Sequence, residues 1–135
     1  GQLKSIVQSV GGTHTRAFIL MQEGDNVIYE LKTYRATEGA IGRMITRFQE
    51  KTMPIFARMG IEVVHCWTSD AEPDTFFYLS RFASEEARKS SLSAFAADPE
   101  WKAAKAASET NGPLLASQTS VLLNATDFSP ADMSK

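Results

Sequence analysis

Strand and helix signals follow one another along this chain in an order that constrains the fold more than any other feature. Four segments have the alternation or the β-branched and aromatic content of strands: 27–35, 61–68, 75–82 and 114–123. Helical periodicity fills the first and last gaps between them, and turn residues fill the middle gap. The order βαββαβ is that of the ferredoxin-like fold, which belongs to the α+β class. Right-handed crossovers then place both helices on one face of a four-stranded antiparallel sheet.

Capping and breaking residues predict where the helices begin and end. Thr37 is the expected cap of the first helix, and Gly60 is expected to end it. Pro54 lies inside the helical pattern and predicts a kink, because proline lacks an amide hydrogen and crowds the preceding turn. Ser84 is the expected cap of the second helix, which restarts after a second cap at Asp98.

The sheet face opposite the helices has no cover of its own in this topology. We expect that face to carry Tyr34, Trp67 and either Phe76 with Tyr78 or Phe77. So much exposed aromatic surface would be unusual for a monomer. Since pairing two such faces would bury it, the sequence predicts a homodimer.

The charge balance excludes two classes of partner. Lys and Arg number 14 against 16 Asp and Glu, which gives a formal net charge of −2 and a pI near 5.7. Nucleic-acid binders and proteins of anionic membrane surfaces carry a basic excess, so neither class is expected. One cysteine and two histidines argue against a zinc site, and we predict no metal. No apolar run reaches the length of a transmembrane helix.

The strand and helix pattern divides the chain into three parts. We expect an N-terminal arm with an extra strand over residues 1–26, the βαββαβ domain over 27–128, and a polar tail over 129–135. The compartment stays open. A single cysteine suits the cytoplasm, which we prefer, and it equally suits a periplasmic or secreted protein whose signal peptide has been removed.

Five short segments carry a resemblance to a known family. They are IYELKTY at 28–34, GIEVVHCWT at 60–68, YLSRF at 78–82, SEEAR at 84–88 and DPEW at 98–101. In this order and spacing they resemble the NIPSNAP family of the dimeric α+β barrel superfamily, over about residues 27 to 128. Lys32 departs from the family pattern, which more often has arginine there. The resemblance implies a homodimer whose two sheets enclose a barrel, and it implies no particular reaction.

Polar and aromatic side chains of the expected barrel-facing side form the candidate site. The predicted ligand-binding residues are Glu30, Lys32, Tyr34, His65, Trp67, Tyr78 and Arg81. No catalytic residue is assigned; the candidates for an acid or a base are Glu30, Tyr34, His65 and Tyr78. Each residue also has a structural interpretation, as part of an ion pair, a hydrogen-bonded histidine, or a core aromatic with a satisfied hydroxyl.

Two further patterns are expected to be structural. Arg43, Arg47 and Lys51 recur every four residues and predict a solvated helix face. Trp101 lies at the helix restart after Asp98, where we expect it to anchor packing.

Cofactor chemistry finds little support in the sequence. There is no Gly-rich phosphate loop and no nucleophile elbow, so no cofactor is expected. Haem with His65 as axial ligand is the alternative. Cys66 cannot pair with His65 as a nucleophile, because successive strand residues point to opposite faces, and it is expected to be an inert core thiol.

Two functions of different classes follow from these observations. The first is binding of a small apolar ligand inside the barrel, with cofactor-independent oxygenase or isomerase activity as its catalytic form. The second is a non-catalytic dimeric scaffold or partner-binding module, which predicts an interior filled by side chains. Whether the protein is an enzyme is left open by the sequence.

Overall fold

The computed structural model describes residues 27–130 of the 135-residue chain. Within that range, helices and strands follow in the predicted order, with one π-helical turn in the first helical segment. The elements are β1 (Ile28–Ala36), α1 (Ile41–Arg47), the π turn (Phe48–Thr52), α2 (Met53–Arg58), β2 (Glu62–Thr68), β3 (Thr75–Phe82), α3 (Glu85–Ala97), α4 (Pro99–Ser108) and β4 (Leu115–Leu123). The βαββαβ prediction is confirmed.

The sheet is antiparallel throughout, with the strand order β2-β3-β1-β4. β1 and β3 are therefore the central strands, as the topology predicts. Their register places Lys32 opposite Tyr78 and Tyr34 opposite Phe76, while β4 places Gln118 opposite Tyr34. Side chains from three strands thus meet on one face of the sheet.

The apolar core lies between the sheet and the helices. Its buried residues come from β1, β3, the helical segments and the adjoining loops: Ala36, Ala40, Met44, Phe48, Phe56, Ile61, Phe76, Tyr78, Phe82 and Leu114. Tyr34 packs against this cluster. Removing this apolar and aromatic surface from water is the main term that favours the fold.

The uncovered sheet face carries a different aromatic set from the one expected. Tyr34, Phe76 and Tyr78 all belong to the core under the helices, so their expected place on the uncovered face is wrong. Trp67 pairs with Phe77 across β2 and β3, and of the two alternatives Phe77 is the correct one. The alternation of side chains along a strand shows which residues share a face of the sheet, but it does not show which face the helices cover. Because one face of β1 carries polar residues, the sequence suggested that this face is the uncovered one, whereas the helices cover it.

Where the sequence predicts a kink at Pro54, the structure has a π-helical turn followed by a new α-helix. The amide of Met53 donates to the carbonyl of Phe48, five residues back, which is the π-helical pattern. Pro54 comes next, in the first turn of α2, where a missing amide costs no hydrogen bond. Phe48 and Thr52, the first and last residues of this turn, are both buried, each with 4% of its surface exposed.

Local signals predict most of the helix ends correctly. Ser84 and Asp98 each accept a hydrogen bond from the amide three residues on, at 3.0 and 2.9 Å, so both caps are confirmed. Gly60 has a φ of +77°, the left-handed conformation that ends a helix. The Thr37 cap is wrong: no side chain within the described residues caps α1, and the Thr37 hydroxyl donates to the carbonyl of Pro113 at 3.0 Å.

Two predicted segments lie wholly or mainly outside the described residues. They are the N-terminal arm with its extra strand, at 1–26, and most of the C-terminal tail, at 131–135. The division into arm, domain and tail therefore stays a prediction. Among the helices that the structure describes, none has the length and apolar content needed to cross a membrane.

Candidate ligand-binding site

A cavity of about 390 Å³ lies between the sheet and the helices. Its volume is within the range of about 300–1,000 Å³ that is usual for ligand sites. The apolar part of its wall comes from all the helical segments, namely Met44, Phe48, Phe56, Leu92, Phe95 and Trp101. The main charged and hydroxyl groups of the wall are Lys32, Tyr34, Arg47, Tyr78, Lys105 and Glu109. A cavity whose wall combines apolar side chains with polar groups is the usual form of a small-molecule site.

Aromatic rings line the deep end of the cavity. Phe48 lies 4.7 Å from Tyr78 and 6.1 Å from Phe56, centroid to centroid, and all three side chains are buried. Phe95 and Trp101 stack at 4.7 Å on the helical side. Rings held in this way present flat, polarisable surfaces to an apolar ligand.

Two tyrosine hydroxyls meet at the sheet side of the cavity. The hydroxyls of Tyr34 and Tyr78 are 3.0 Å apart, and their rings are in edge-to-face contact at 5.3 Å. Burial raises the pKa of both side chains, that of Tyr78 by a large margin. Both therefore keep their protons at neutral pH. One proton joins the two oxygens, and the second is available to a ligand oxygen.

Arg47 is a buried residue of the site and not part of a solvated stripe. Only 8% of it is exposed, whereas Arg43 and Lys51 are exposed as expected. Its guanidinium bonds Glu109 at 2.9 Å and lies 5.1 Å above the ring of Trp101. The stripe prediction is wrong at this position, because the partners that make burial tolerable lie on another helix.

Trp101 and Glu109 are both part of the cavity wall, which the sequence did not predict. Trp101 packs on its neighbours, as predicted, and it also forms part of the cavity wall. Burial tends to raise the pKa of Glu109, but hydrogen bonds from Arg47 and Lys105 outweigh it and lower the pKa overall. Glu109 therefore stays ionised between two cations.

Lys32 reaches the cavity from β1. Its Nζ donates to Oε1 of Gln118 at 3.1 Å and lies 4.0 Å from Oε2 of Glu30. Burial is the main cause that lowers the pKa of Lys32, and the charge of Arg88 adds to it, while Glu30 opposes both. The ammonium is thus partly desolvated at the edge of the site.

Glu30 lies behind Lys32 and is fully engaged by other groups. Only 1% of it is exposed, and its two oxygens accept from Nε and Nη2 of Arg88, each at 3.1 Å, and from the hydroxyl of Ser120. Burial alone would raise its pKa, but the bonds from Arg88 and Ser120 and the nearby positive charges lower it. Glu30 therefore joins β1, α3 and β4, and it is not part of the cavity wall.

The remaining predicted site residues lie on the other face of the sheet. His65 and Trp67 are both exposed, with ring centroids 4.9 Å apart. Arg81 forms an ion pair with Glu62 at 3.1 Å. The predicted site is thus divided by the sheet: Lys32, Tyr34 and Tyr78 face the cavity with Glu30 behind them, and the other three do not.

Cys66 packs against the core on the helix side of β2. Burial raises the pKa of its thiol, which keeps it in the unreactive protonated form. Among residues 27–130, no three His, Cys, Asp or Glu side chains come together as ligands for a metal ion.

A wider and more open groove runs along the outer side of α1 and α4. Small residues such as Gly42, Ala103 and Ala107 line it, together with the exposed Arg43 and Glu50. None of the residues that line it is aromatic, and it is open to solvent, so the more enclosed cavity is the better ligand site.

Comparison with known proteins decides the family. The sequence model described as NIPSNAP matches residues 29–130. The chain belongs to the NIPSNAP family. Comparison with curated proteins gives no match.

Solved structures of other NIPSNAP proteins share the fold. An uncharacterised NIPSNAP domain protein from Burkholderia xenovorans is 25% identical, with a TM-score of 0.66 over 76% of this chain and 98% of its own. A NIPSNAP family protein from Agrobacterium tumefaciens is 23% identical, with a TM-score of 0.69 over 79% of this chain and 100% of its own. A protein from Chloroflexus aurantiacus whose name proposes antibiotic biosynthesis monooxygenase activity is 19% identical, with a TM-score of 0.52 over 79% and 100%. The last two likenesses show the fold alone.

The Glu30–Arg88 pair of this NIPSNAP chain makes a testable contribution to stability. Replacing Arg88 with Met leaves a buried carboxylate without its main partner, so we expect the free energy of unfolding at pH 7 to fall by about 3 kcal/mol. The folded-state pKa of Glu30 is below its ordinary value of 4.5, so the pair stabilises above that pH and the stabilisation is lost as pH falls through the folded pKa. Urea denaturation at pH 7 and pH 3 measures both effects.

The control for this prediction is Arg58→Met. Arg58 pairs with Asp98 at 3.1 Å but is half exposed, so its loss should cost much less than that of Arg88. A loss for Arg88→Met no larger than for Arg58→Met, or one that stays unchanged at pH 3, would contradict the account.

Proposed function

We propose that this NIPSNAP protein binds a small, mainly apolar ligand in the cavity between its helices and its sheet. The observation that carries the proposal is the cavity itself, whose wall combines aromatic rings with polar groups. A scaffold without a ligand would be expected to fill this space with side chains, since protein interiors are close-packed.

The polar groups define how such a ligand would be held. The tyrosine pair can donate one proton to a carbonyl or hydroxyl oxygen of the ligand. Lys32 lies opposite Tyr78 in the strand register, so a second donor is available close by. The rest of the ligand would lie against the rings of Phe48 and Phe95.

A cofactor-independent isomerase or oxygenase reaction is the catalytic form of this proposal. In that form the tyrosine pair would donate a hydrogen bond to a ligand carbonyl, which polarises the C–H group beside it. His65 has no part in it, because the sheet separates it from the cavity.

We propose further that two copies of the chain pair through the uncovered sheet face. In the register, His65, Leu79, Leu31 and Val121 form one continuous row across all four strands of that face. Val121, Leu123 and Trp67 are among the most exposed large apolar side chains of the described residues. A second copy would remove this mainly apolar surface from water, and two identical faces are self-complementary under twofold symmetry.

Binding in the cavity is tested with N-phenyl-1-naphthylamine, a neutral apolar dye whose fluorescence rises when it leaves water. We expect the wild-type protein to bind it and Leu92→Trp to weaken binding at least about tenfold, because the indole fills space next to Leu92. Leu92→Met is the matched control, since it keeps the volume and should keep the affinity. Equal affinity in wild-type and Leu92→Trp proteins would contradict binding in this cavity.

Pairing of the sheet faces is tested by light scattering coupled to size exclusion. Val121 and Leu122 are neighbours on opposite faces of β4, with 50% and 45% of their surface exposed. We expect the wild type to be a dimer, Val121→Arg to be a monomer, and Leu122→Arg to remain a dimer. A wild-type monomer at micromolar concentration, or loss of the dimer in both variants, would contradict pairing through this face.

A further inference from the structure

The charges that line the cavity are unbalanced. Three cations face it, Lys32, Arg47 and Lys105, against the single carboxylate of Glu109. Glu109 already bonds Arg47 at 2.9 Å and Lys105 at 3.2 Å, so its charge is shared by those two. The cavity wall therefore carries a positive surplus, although the chain as a whole has a net charge of −2.

Lys32 is the cation whose charge is least well matched. The acid nearest to it is Glu30, at 4.0 Å, the outer limit of an ion pair. Both carboxylate oxygens of Glu30 accept hydrogen bonds from Arg88, and one also accepts from Ser120. The carboxylate is therefore neutralised mainly by Arg88 and not by Lys32. An ammonium group has three N–H donors, and among the described residues Gln118 is the one hydrogen-bond acceptor of Lys32.

Gln118 has a donor of its own at the same place. Its Oε1 accepts from Lys32, which leaves the two N–H groups of its Nε2 without a partner among residues 27–130. The amide and the ammonium therefore present several N–H donors at one point of the cavity wall. Such a set favours a negatively charged oxygen ligand over a neutral one, because charge-assisted hydrogen bonds are the stronger kind.

The position of this donor set suits an amphipathic molecule. Gln118 and Lys105 line the cavity and are exposed, which marks the side that opens to water. The buried rings of Phe48, Phe56 and Tyr78 mark the closed end. A ligand with an anionic group at the opening and an apolar body towards the rings would satisfy both ends at once.

We propose that the ligand of this cavity is a small apolar carboxylate, whose carboxylate group accepts hydrogen bonds from Lys32 Nζ and Gln118 Nε2 while its apolar body packs on Phe48 and Phe95. The inference rests on the proposed ligand-binding function and names the ligand class of that same site. The partial desolvation that lowers the pKa of Lys32 is then offset in the complex by a neighbouring negative charge.

A competing explanation is that Lys32 serves structure alone, as a partner of Glu30. That explanation predicts that removing the charge lowers stability and changes the affinity for charged and neutral ligands equally. The carboxylate proposal predicts instead a larger loss of affinity for charged ligands than for neutral ones. The affinities of a pair of ligands that differ only in charge therefore distinguish the structural explanation from the carboxylate proposal.

The test measures how well 2-naphthoate and 2-naphthamide displace N-phenyl-1-naphthylamine from the protein. The two competitors have the same ring system and nearly the same shape, and only the acid is charged. We expect the wild type to bind the acid at least about tenfold more tightly than the amide. Lys32→Met should abolish that preference, because both competitors lose the same neutral hydrogen bond and only the acid also loses the charge interaction, whereas Lys32→Arg should retain it.

The outcomes separate this inference from the proposed function. Suppose that the dye and the amide both bind and that Leu92→Trp blocks both of them. If the wild type then shows no preference for the acid, the carboxylate inference is wrong and the cavity remains a ligand site. A preference for the acid that survives in Lys32→Met also overturns the inference. If the dye does not bind, or Leu92→Trp has no effect, the proposed function itself is wrong. A cooperative urea-denaturation transition shows that the Lys32→Met variant is folded.

Discussion

The alternation of side chains along β1 is the constraint on which the rest of the structure depends. Because neighbouring residues of a strand point to opposite faces, Glu30, Lys32 and Tyr34 share one face and Tyr29 and Leu31 the other. The helices cover the first set. One strand in the centre of the sheet therefore supplies the buried acid, the cavity ammonium and one of the paired hydroxyls.

The polar residues of that strand are tolerated under the helices because each has a partner from elsewhere in the chain. Glu30 accepts hydrogen bonds from Arg88 of α3. Lys32 donates one to Gln118 of β4, and the hydroxyls of Tyr34 and of Tyr78 in β3 are hydrogen-bonded to each other. Among the described residues, no buried side-chain nitrogen or oxygen lacks a hydrogen-bond partner. The π turn before Pro54 adds Phe48 and Thr52 to the opposite wall, and local widening of a helix is a frequent feature of functional sites.

Sequence analysis predicts the features of this chain that depend on near neighbours. The strands, the caps at Ser84 and Asp98 and the stop at Gly60 all rest on contacts within a few residues. The sequence does not predict contacts with partners that are distant along the chain. The hydroxyl of Thr37 donates to the carbonyl of Pro113, 76 residues away, and buried Arg47 bonds Glu109, 62 residues away. The candidate site was half predicted for the same reason. Of the predicted residues, Lys32, Tyr34 and Tyr78 line the cavity, whereas the wall residues from the helices and from β4 were not predicted.

The central claim is that the ligand lies between the helices and the sheet and not on the uncovered sheet face. Methyl NMR spectra recorded during a titration with 2-naphthamide test it directly, since methyl groups of both sides are present. Binding in the cavity predicts shifts at Met44, Leu92 and Leu115, with little change at Leu31, Val121 and Leu123. Shifts confined to Leu31, Val121 and Leu123 would contradict it.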